Sequence, residues 1–405
     1  MAELVPFRAL RPIPDAAPRV AAVPYDVVTT EEARALAAGN PLSFLHVTRS
    51  EIDLPPDVSP YDARVYAQAS QNFEELKRAA PLVLEDRPSL YFYRLRMGSH
   101  EQTGVCGCFS IDDYDRDVIK KHERTRKDKE DDRTRHMVEL RAQTGVVFLT
   151  YRASAAVDAV AARASDDRPL YDFVASDGVG HCVWRVRDTE VGALTAAFAA
   201  MPALYVADGH HRAASAARAR TAIAESGAQS VEAGRFLAVA FPDTQVQILA
   251  YNRVVKDLGG RLARAFLAGL RGRVRVAEGG PAPARPGEVS MYLAGRWYRI
   301  TLPPTPAGVP RAEALDVAAL QREVLEPLLG IEDVRTDKRI DFVGGARGTG
   351  ELERLVATGR AAVAFSMYPV AVRDLLAIAD AGGIMPPKST WFEPKLRDGL
   401  LVHLI

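Results

Sequence analysis

The 405-residue chain is 48% hydrophobic and 26% charged, an ordinary globular balance with length enough for a substantial core and more than one compact unit. Its 52 basic and 52 acidic side chains cancel, so no net field draws it toward nucleic acid or an anionic membrane, and binding to either would need a local patch. No apolar run has the length of a membrane span, the opening MAELVPFRALRPIPD lacks the apolar core of a signal peptide, and the three cysteines make no disulfide framework, so a reducing, cytoplasmic setting is expected.

After a Pro-rich extended opening (7–14), Thr29 or Thr30 is positioned to cap a helix bearing Glu31 and Glu32 in its first turn. Asn40-Pro41 closes that helix, and LSFLHVT (42–48) reads as a strand. Residues 60–80 have helical spacing, with Tyr66, Phe73 and Leu76 facing inward. SLYFYRLRM and TGVCGCFSI read as a hairpin around Gly98-Ser99-His100. Cys106 and Cys108 then share one strand face; without a second cysteine pair they read as small core residues before half a metal site. A densely charged, mostly helical segment follows from Val118, then the strand VVFLTY, an Ala-rich helix over 154–165, the strand HCVWRVRD and a helix ending near Ala200.

ALYVAD and a second Ala-rich helix come next, then strands RFLAVAFP and QILAYNRVV. Composition changes after Lys256: a basic helix and a Gly/Pro-rich stretch precede the hairpin SMYLAGRWYRITL, and helix and strand alternate to a terminal loop and strand. The expected fold class is mixed α/β to α+β with a partly antiparallel sheet, in two regions, 1–256 and 257–405. The loop 385–400 is a candidate to return to the active site.

The strongest chemical signal is the turn Asp208-Gly209-His210-His211-Arg212 between an apolar strand and a helix. Such a junction aims free backbone N–H groups and the positive helix end at one point, which suits a phosphate. Gly209 permits close approach or a positive φ, and Arg212 can add a bidentate contact. Asp208 can hold Mg²⁺ or accept a proton, and His210 and His211 can donate to phosphate or exchange protons. The structural alternative is a helix start capped by Asp208. Adjacent histidines diverge by about 100° on a helix, so they rarely chelate one ion.

A second cluster runs from Lys120 to Arg133. His122, Glu123 and Arg124 follow a strand-like DVIK, which sets them at the mouth of a cleft; Glu123 there can act as general base or bind Mg²⁺ beside polyphosphate. Thr125, Lys129 and Arg133 extend the candidate phosphate contacts. Like charges stand four apart, Asp128 with Asp132 and Lys129 with Arg133, so a ligand or another element must neutralise them. A third set, Lys388, Ser389, Thr390 and Lys395, lies on a loop bounded by Gly382-Gly383 and Pro394; its structural alternative is a crossover plugged by Trp391 and Phe392. KST lacks the glycine spacing of a P-loop. Tyr25, Asp26 and His46 are weaker candidates, since single polar residues in apolar strands are more often satisfied core groups.

Together, FRALRP (7–12), VPYDVV (23–28), NPLSFLHV (40–47), IKKHERTRKDKEDDR (119–133), LYVADGHHR (204–212) and MPPKSTWFEPKLRDGL (385–400) resemble a bacterial family known as domain of unknown function 1015, over nearly the whole chain. The DGHHR turn also resembles that of the free L-serine kinases of the ParB/sulfiredoxin-like superfamily. The resemblance implies a ParB/sulfiredoxin-like nucleotide-binding core and phosphoryl transfer from ATP or ADP, with Mg²⁺, to free L-serine. Carried over, Gly209, His210 and Arg212 hold phosphate, with Arg124, Thr125, Lys129, Arg133, Lys388, Ser389 and Thr390 as further nucleotide contacts; Glu123, Asp208 and His211 are the catalytic candidates, Glu123 matching the kinases' glutamate. The alternatives are a ParB-type nucleotide switch or hydrolase without a small-molecule acceptor, and a degenerate module holding a metal or haem through His210 and His211. A homodimer is compatible with either enzyme reading.

Overall fold

The computed structural model describes residues 2–79 and 82–405, and in it the chain divides into two compact units, 1–246 with 394–405, and 247–393. The division lies at Val246, ten residues before the expected boundary at 256, and residues 394–405 return to the first unit.

The first unit is built on a nine-stranded mixed sheet. Its order is Ile119–Lys120, Leu204–Asp208, Val147–Tyr151, Arg235–Pro242, His100–Ser110, Tyr91–Met97, Gly180–Arg185 and Tyr171–Val174, with Leu4–Val5 also paired to His100–Ser110. The long middle strands are buried nearly throughout, which is why VVFLTY and RFLAVAFP read as continuous apolar runs instead of alternating ones. Val147, Leu149, Phe109 and Phe236 of the sheet share one core with Leu194 and Phe198 of the Asp188–Ala199 helix and with Ala213, Ala216 and Ala219 of the His210–Glu225 helix. Those alanines are small enough to seat that helix close to the sheet. Cys106 and Cys108 are free, fully buried core residues. A four-stranded sheet of the same unit, ordered Leu82–Leu84, Ala9–Pro12, Val402–Leu404, Ala142–Gln143, takes one strand from the end of the chain.

The second unit holds an antiparallel six-stranded sheet, ordered Arg275–Glu278, Arg296–Thr301, Glu288–Leu293, Val363–Met367, Tyr251–Val255, Ile340–Gly344. A separate ribbon pairs Gln247–Leu249 with Trp391–Glu393, so the chain enters and leaves this unit on two adjacent strands. QILAYNRVV, expected as one strand, is therefore two, Gln247–Leu249 in the ribbon and Tyr251–Val255 in the sheet.

One expectation fails outright. LSFLHVT is not a strand: Leu45–Thr48 is a short helix continued by a 3-10 turn at Ser50–Asp53. Its apolar residues Phe44, Leu45 and Val47 are buried against Phe73 and Leu76 of the Ala63–Ala79 helix, and that tertiary burial overrides the strand preference of Val47 and Thr48. Tyr66, Phe73 and Leu76 do face inward, as their spacing indicates.

Candidate functional site

Leu204–Ala207 is an apolar strand closed on both sides, and its register against Val147–Tyr151 shifts between Val206 and Asp208. This bulge leaves Ala207 as the extra residue and sets Asp208 opposite Phe148 at the strand's end. Gly209 follows at φ +92°, a left-handed conformation that costs a residue with a Cβ more than it costs glycine, and the His210–Glu225 helix starts with no side-chain cap. Sixteen residues of helix therefore direct the positive end of their dipole at the turn, as the strand-turn-helix pattern implies.

The chain's end completes the turn. Lys395 Nζ donates to Asp208 Oδ2 at 3.1 Å, while the Gly209 N–H donates to Asp208 Oδ1 at 3.0 Å. Desolvation alone would raise the Asp208 carboxyl, but Lys395 and Arg212 overcome it and hold the group well below the usual carboxylate range. Asp208 is thus a fixed anion and a poor proton acceptor. It does not form a metal centre with its neighbours either: no group of three or more His, Cys, Asp or Glu gathers to hold an ion among the described residues. Lys395 holds one of the two Asp208 carboxylate oxygens, so Asp208 alone supplies no resident magnesium site.

Arg212 is 3% exposed. Its guanidinium donates to the Val146 carbonyl and to Asp26 Oδ2 at 3.4 Å and lies 3.6 Å from Asp208 Oδ2. Arg212, a candidate phosphate contact, thereby ties the turn to Asp26. Arg133 is likewise turned inward, paired with Asp132 at 2.8 Å and lying 4.3 Å from the Tyr25 ring centre. Lys129 donates to Tyr61 Oη at 2.9 Å, and Arg126 pairs with Asp128. Along Lys127–Leu140, Arg133 is thus paired within the helix by Asp132, while Asp128 is paired by Arg126 just before it.

The loop before that helix packs directly on the turn. The rings of His122 and His210 meet edge to face at 4.4 Å, and the His122 N–H points at His210 Nε2 at 3.5 Å. Arg126 N–H donates to His211 Nε2 at 3.0 Å, which assigns the proton of neutral His211 to Nδ1. Burial pushes His210 well below the usual histidine range and His122 down to about 4, so both rings are neutral at pH 7. Glu123 is partly exposed, with Oε2 3.8 Å from His210 Nδ1. The loop and the turn therefore form one site, with Glu123 as its carboxylate nearest to solvent. Thr125 donates to Glu130 and Arg124 is exposed.

Lys388, Ser389 and Thr390 belong to the second unit, apart in the fold assignment from Lys395. Lys388 has φ +56°, its carbonyl accepts from Arg253 at 2.9 Å, and Ser389 Oγ donates to the Pro386 carbonyl. His46 pairs with Asp53 at 2.9 Å, a local contact of the short helix. Sequence reasoning passed over Asp398 and Val146. Asp398 Oδ1 accepts from Val146 N–H at 3.4 Å, and its carboxyl is pushed up to about 7, chiefly by burial. The one signal for it was an acid beside glycine in RDGL, indistinguishable from a turn.

A family model described as protein of unknown function (DUF1015) matches residues 4–318, and the chain belongs to that family. No curated protein matches. Among solved structures the chain is similar to a free serine kinase in complex with AMP, at 14% identity and a TM-score of 0.40, over 74% of this chain and 92% of that one. It is similar at 14% identity and a TM-score of 0.37 to a conserved hypothetical protein from Pyrococcus furiosus, over 74% and 95% of the two chains. A C-terminally truncated SbnI from Staphylococcus aureus gives 12% identity and a TM-score of 0.40 over 74% and 87%.

Proposed function

We propose that this DUF1015 member is a small-molecule kinase whose first unit has a ParB/sulfiredoxin-like nucleotide site, transferring a phosphoryl group from ATP or ADP to the hydroxyl of free L-serine. The observation that carries the reading is the convergence, at one uncapped helix start, of a clamped ion pair (Asp208 with Lys395) and a partly exposed carboxylate, Glu123. Phosphoryl transfer asks chiefly for positioning and charge neutralisation, and those are the parts present. The serine acceptor rests on the resemblance of the DGHHR turn.

In this reading the terminal phosphate docks on the N–H groups of the helix start and on Gly209, with Lys395 and the imidazole Nδ1–H of His211 as side-chain donors. The acceptor oxygen attacks the terminal phosphorus, the bond from phosphorus to the bridging oxygen breaks, and the shortened nucleotide leaves with that oxygen. Glu123 takes the hydroxyl proton. Between the two acids, Glu123 is the base, because Lys395 and Arg212 keep Asp208 ionised and weakly basic. Magnesium would arrive on the nucleotide's own phosphate oxygens, and no step is assigned to it here.

The test is a phosphorus NMR screen with ATP, ADP and CTP, each with and without L-serine. Serine-dependent consumption of ATP or ADP is expected, with Glu123→Gln lowering kcat by about 10²–10⁴-fold at a nearly unchanged nucleotide Kd. If serine and related hydroxy compounds leave every nucleotide's consumption unchanged, the kinase reading fails; CTP turnover without any acceptor would replace it with a nucleotide switch.

A further inference from the structure

Behind the phosphate turn lies a small cavity with room for about one water molecule, whose wall includes Tyr25, Thr48, Arg133, His136, Arg212 and Asp398. Two polar atoms of this wall are buried without a hydrogen-bond partner: Asp398 Oδ2 and Arg212 Nε. One is an acceptor and the other a donor, on side chains 1% and 3% exposed. Their other atoms are held by the same residue, since Asp398 Oδ1 accepts from Val146 N–H while Arg212 donates to the Val146 carbonyl. Gly145 lies against both, since a Cβ there would stand 3.0 Å from Arg212 Cδ and 4.0 Å from Asp398 Oδ1.

We propose that Asp398 is a proton-binding site that sets the anion affinity of the phosphate turn, a regulation that rests on the nucleotide reading of that turn. With its proton on Oδ2, Asp398 is neutral and donates to a water that also accepts from Arg212 Nε. Arg212 then shares its charge with Asp26 and Asp208 alone. Losing that proton to solvent puts a third carboxylate on the same guanidinium, and the added negative charge opposes an incoming phosphate.

The groups facing Asp398 bear on this balance from every side. Arg212 on the His210–Glu225 helix and Arg133 on Lys127–Leu140 favour the ionised form, Asp26 opposes it, and burial opposes it most. His136, lining the same cavity, is pushed down to about 4 by burial and then by Arg133, so it stays neutral across the relevant range. Tyr25 is raised above its usual range by burial and Asp26 and also stays neutral. Of Asp398, His136 and Tyr25, Asp398 alone therefore changes charge near pH 7.

Two measurements on the full chain test this. Infrared difference spectra of the unliganded protein between pH 6 and pH 8 should show the carbonyl stretch of a protonated buried carboxyl at the lower pH, lost at the higher and absent from Asp398→Asn. No such band in the wild type at pH 6 overturns the proposal, and this arm needs no variant for its titration. Second, ADP affinity by calorimetry should fall roughly three- to tenfold more in the wild type than in Asp398→Asn over the same interval, the variant subtracting the titration of ADP itself. Equal slopes with ADP bound in both overturn the coupling alone. ADP that binds at neither pH overturns the coupling together with the nucleotide reading.

Discussion

At Gly209, φ is +92° and a Cβ would stand 3.1 Å from Arg212 Cζ. Gly209→Ala therefore meets two obstacles, a backbone region disfavoured for a side chain and a guanidinium already fixed by Val146 and Asp26. We expect a loss of about 1–3 kcal/mol in urea unfolding and a weakened nucleotide site. An unchanged unfolding midpoint would mean that the turn relaxes without strain. Lys395→Met should act differently: it keeps the aliphatic stem but removes the cation facing Asp208, whose carboxyl then rises toward ordinary values. The expected readouts are roughly 10²-fold lower kcat and a midpoint shift worth about 1–3 kcal/mol, smaller if Arg212 takes over Asp208.

The buried histidines give stability a definite pH dependence. His122 and His136 are each pushed down by burial from the ordinary 6.5 to about 4, so they fold neutral. Their contribution is present above pH 6.5 and is lost as pH falls through 6.5 toward 4, because the unfolded chain then binds protons that the folded one refuses. Asp398 runs the opposite way: raised from 3.8 to about 7, it favours the folded state at low pH and loses that contribution as pH rises from about 4 through 7. Thermal melts from pH 4 to 8 should accordingly show Asp398→Asn gaining steadily on the wild type between about pH 4 and 7 and levelling off above that. A constant offset between the two curves would contradict this.

At the scale of single elements, local chemistry was readable where one residue type decides the outcome. Thr29 makes the capping box: its hydroxyl accepts from Glu32 N–H at 3.2 Å while Thr29 N–H donates to the Glu32 carboxylate at 2.9 Å. Thr29→Ala should cost about 1 kcal/mol and leave the nucleotide site intact, measurable as a shift in urea midpoint at constant slope. Asp208 to Arg212 was legible for the same reason, because a glycine between an apolar strand and a helix leaves few other structures. LSFLHVT was not, since its fate depends on Phe73 and Leu76, which lie well along the chain. The charge pattern of Lys127–Leu140 did not show that Arg133 pairs with its own neighbour Asp132, or that Asp128 pairs with Arg126, since spacing of three and four passes over such adjacent contacts. Asp398 was invisible because its character comes from burial beside Arg212, 186 positions away.

At the scale of the whole molecule, mixed α/β architecture followed from the alternation of short apolar runs with Ala-rich helices, but the chain's return did not. Residues 394–405 bring Lys395 to Asp208 and a strand, Val402–Leu404, to the middle of the four-stranded sheet. Ending the chain after Glu393 should therefore unfold the first unit, which a loss of cooperative melting would reveal; a truncated protein with an unaltered melt would refute the assignment.

The ribbon joining Gln247–Leu249 to Trp391–Glu393 has a consequence for the order of assembly. Asp208 and Lys395 are 187 positions apart, so during synthesis the phosphate turn gains this cation only after the intervening unit has been made. Once the intervening unit has folded and its neck has zipped, the slack between the two partners shrinks to roughly 40 residues, which lowers the closure penalty by about 1 kcal/mol. The inserted unit is then a spring clip that delivers the chain's end to its place. Shortening the ribbon, with both units otherwise intact, should slow refolding of the first unit while leaving its final stability nearly unchanged.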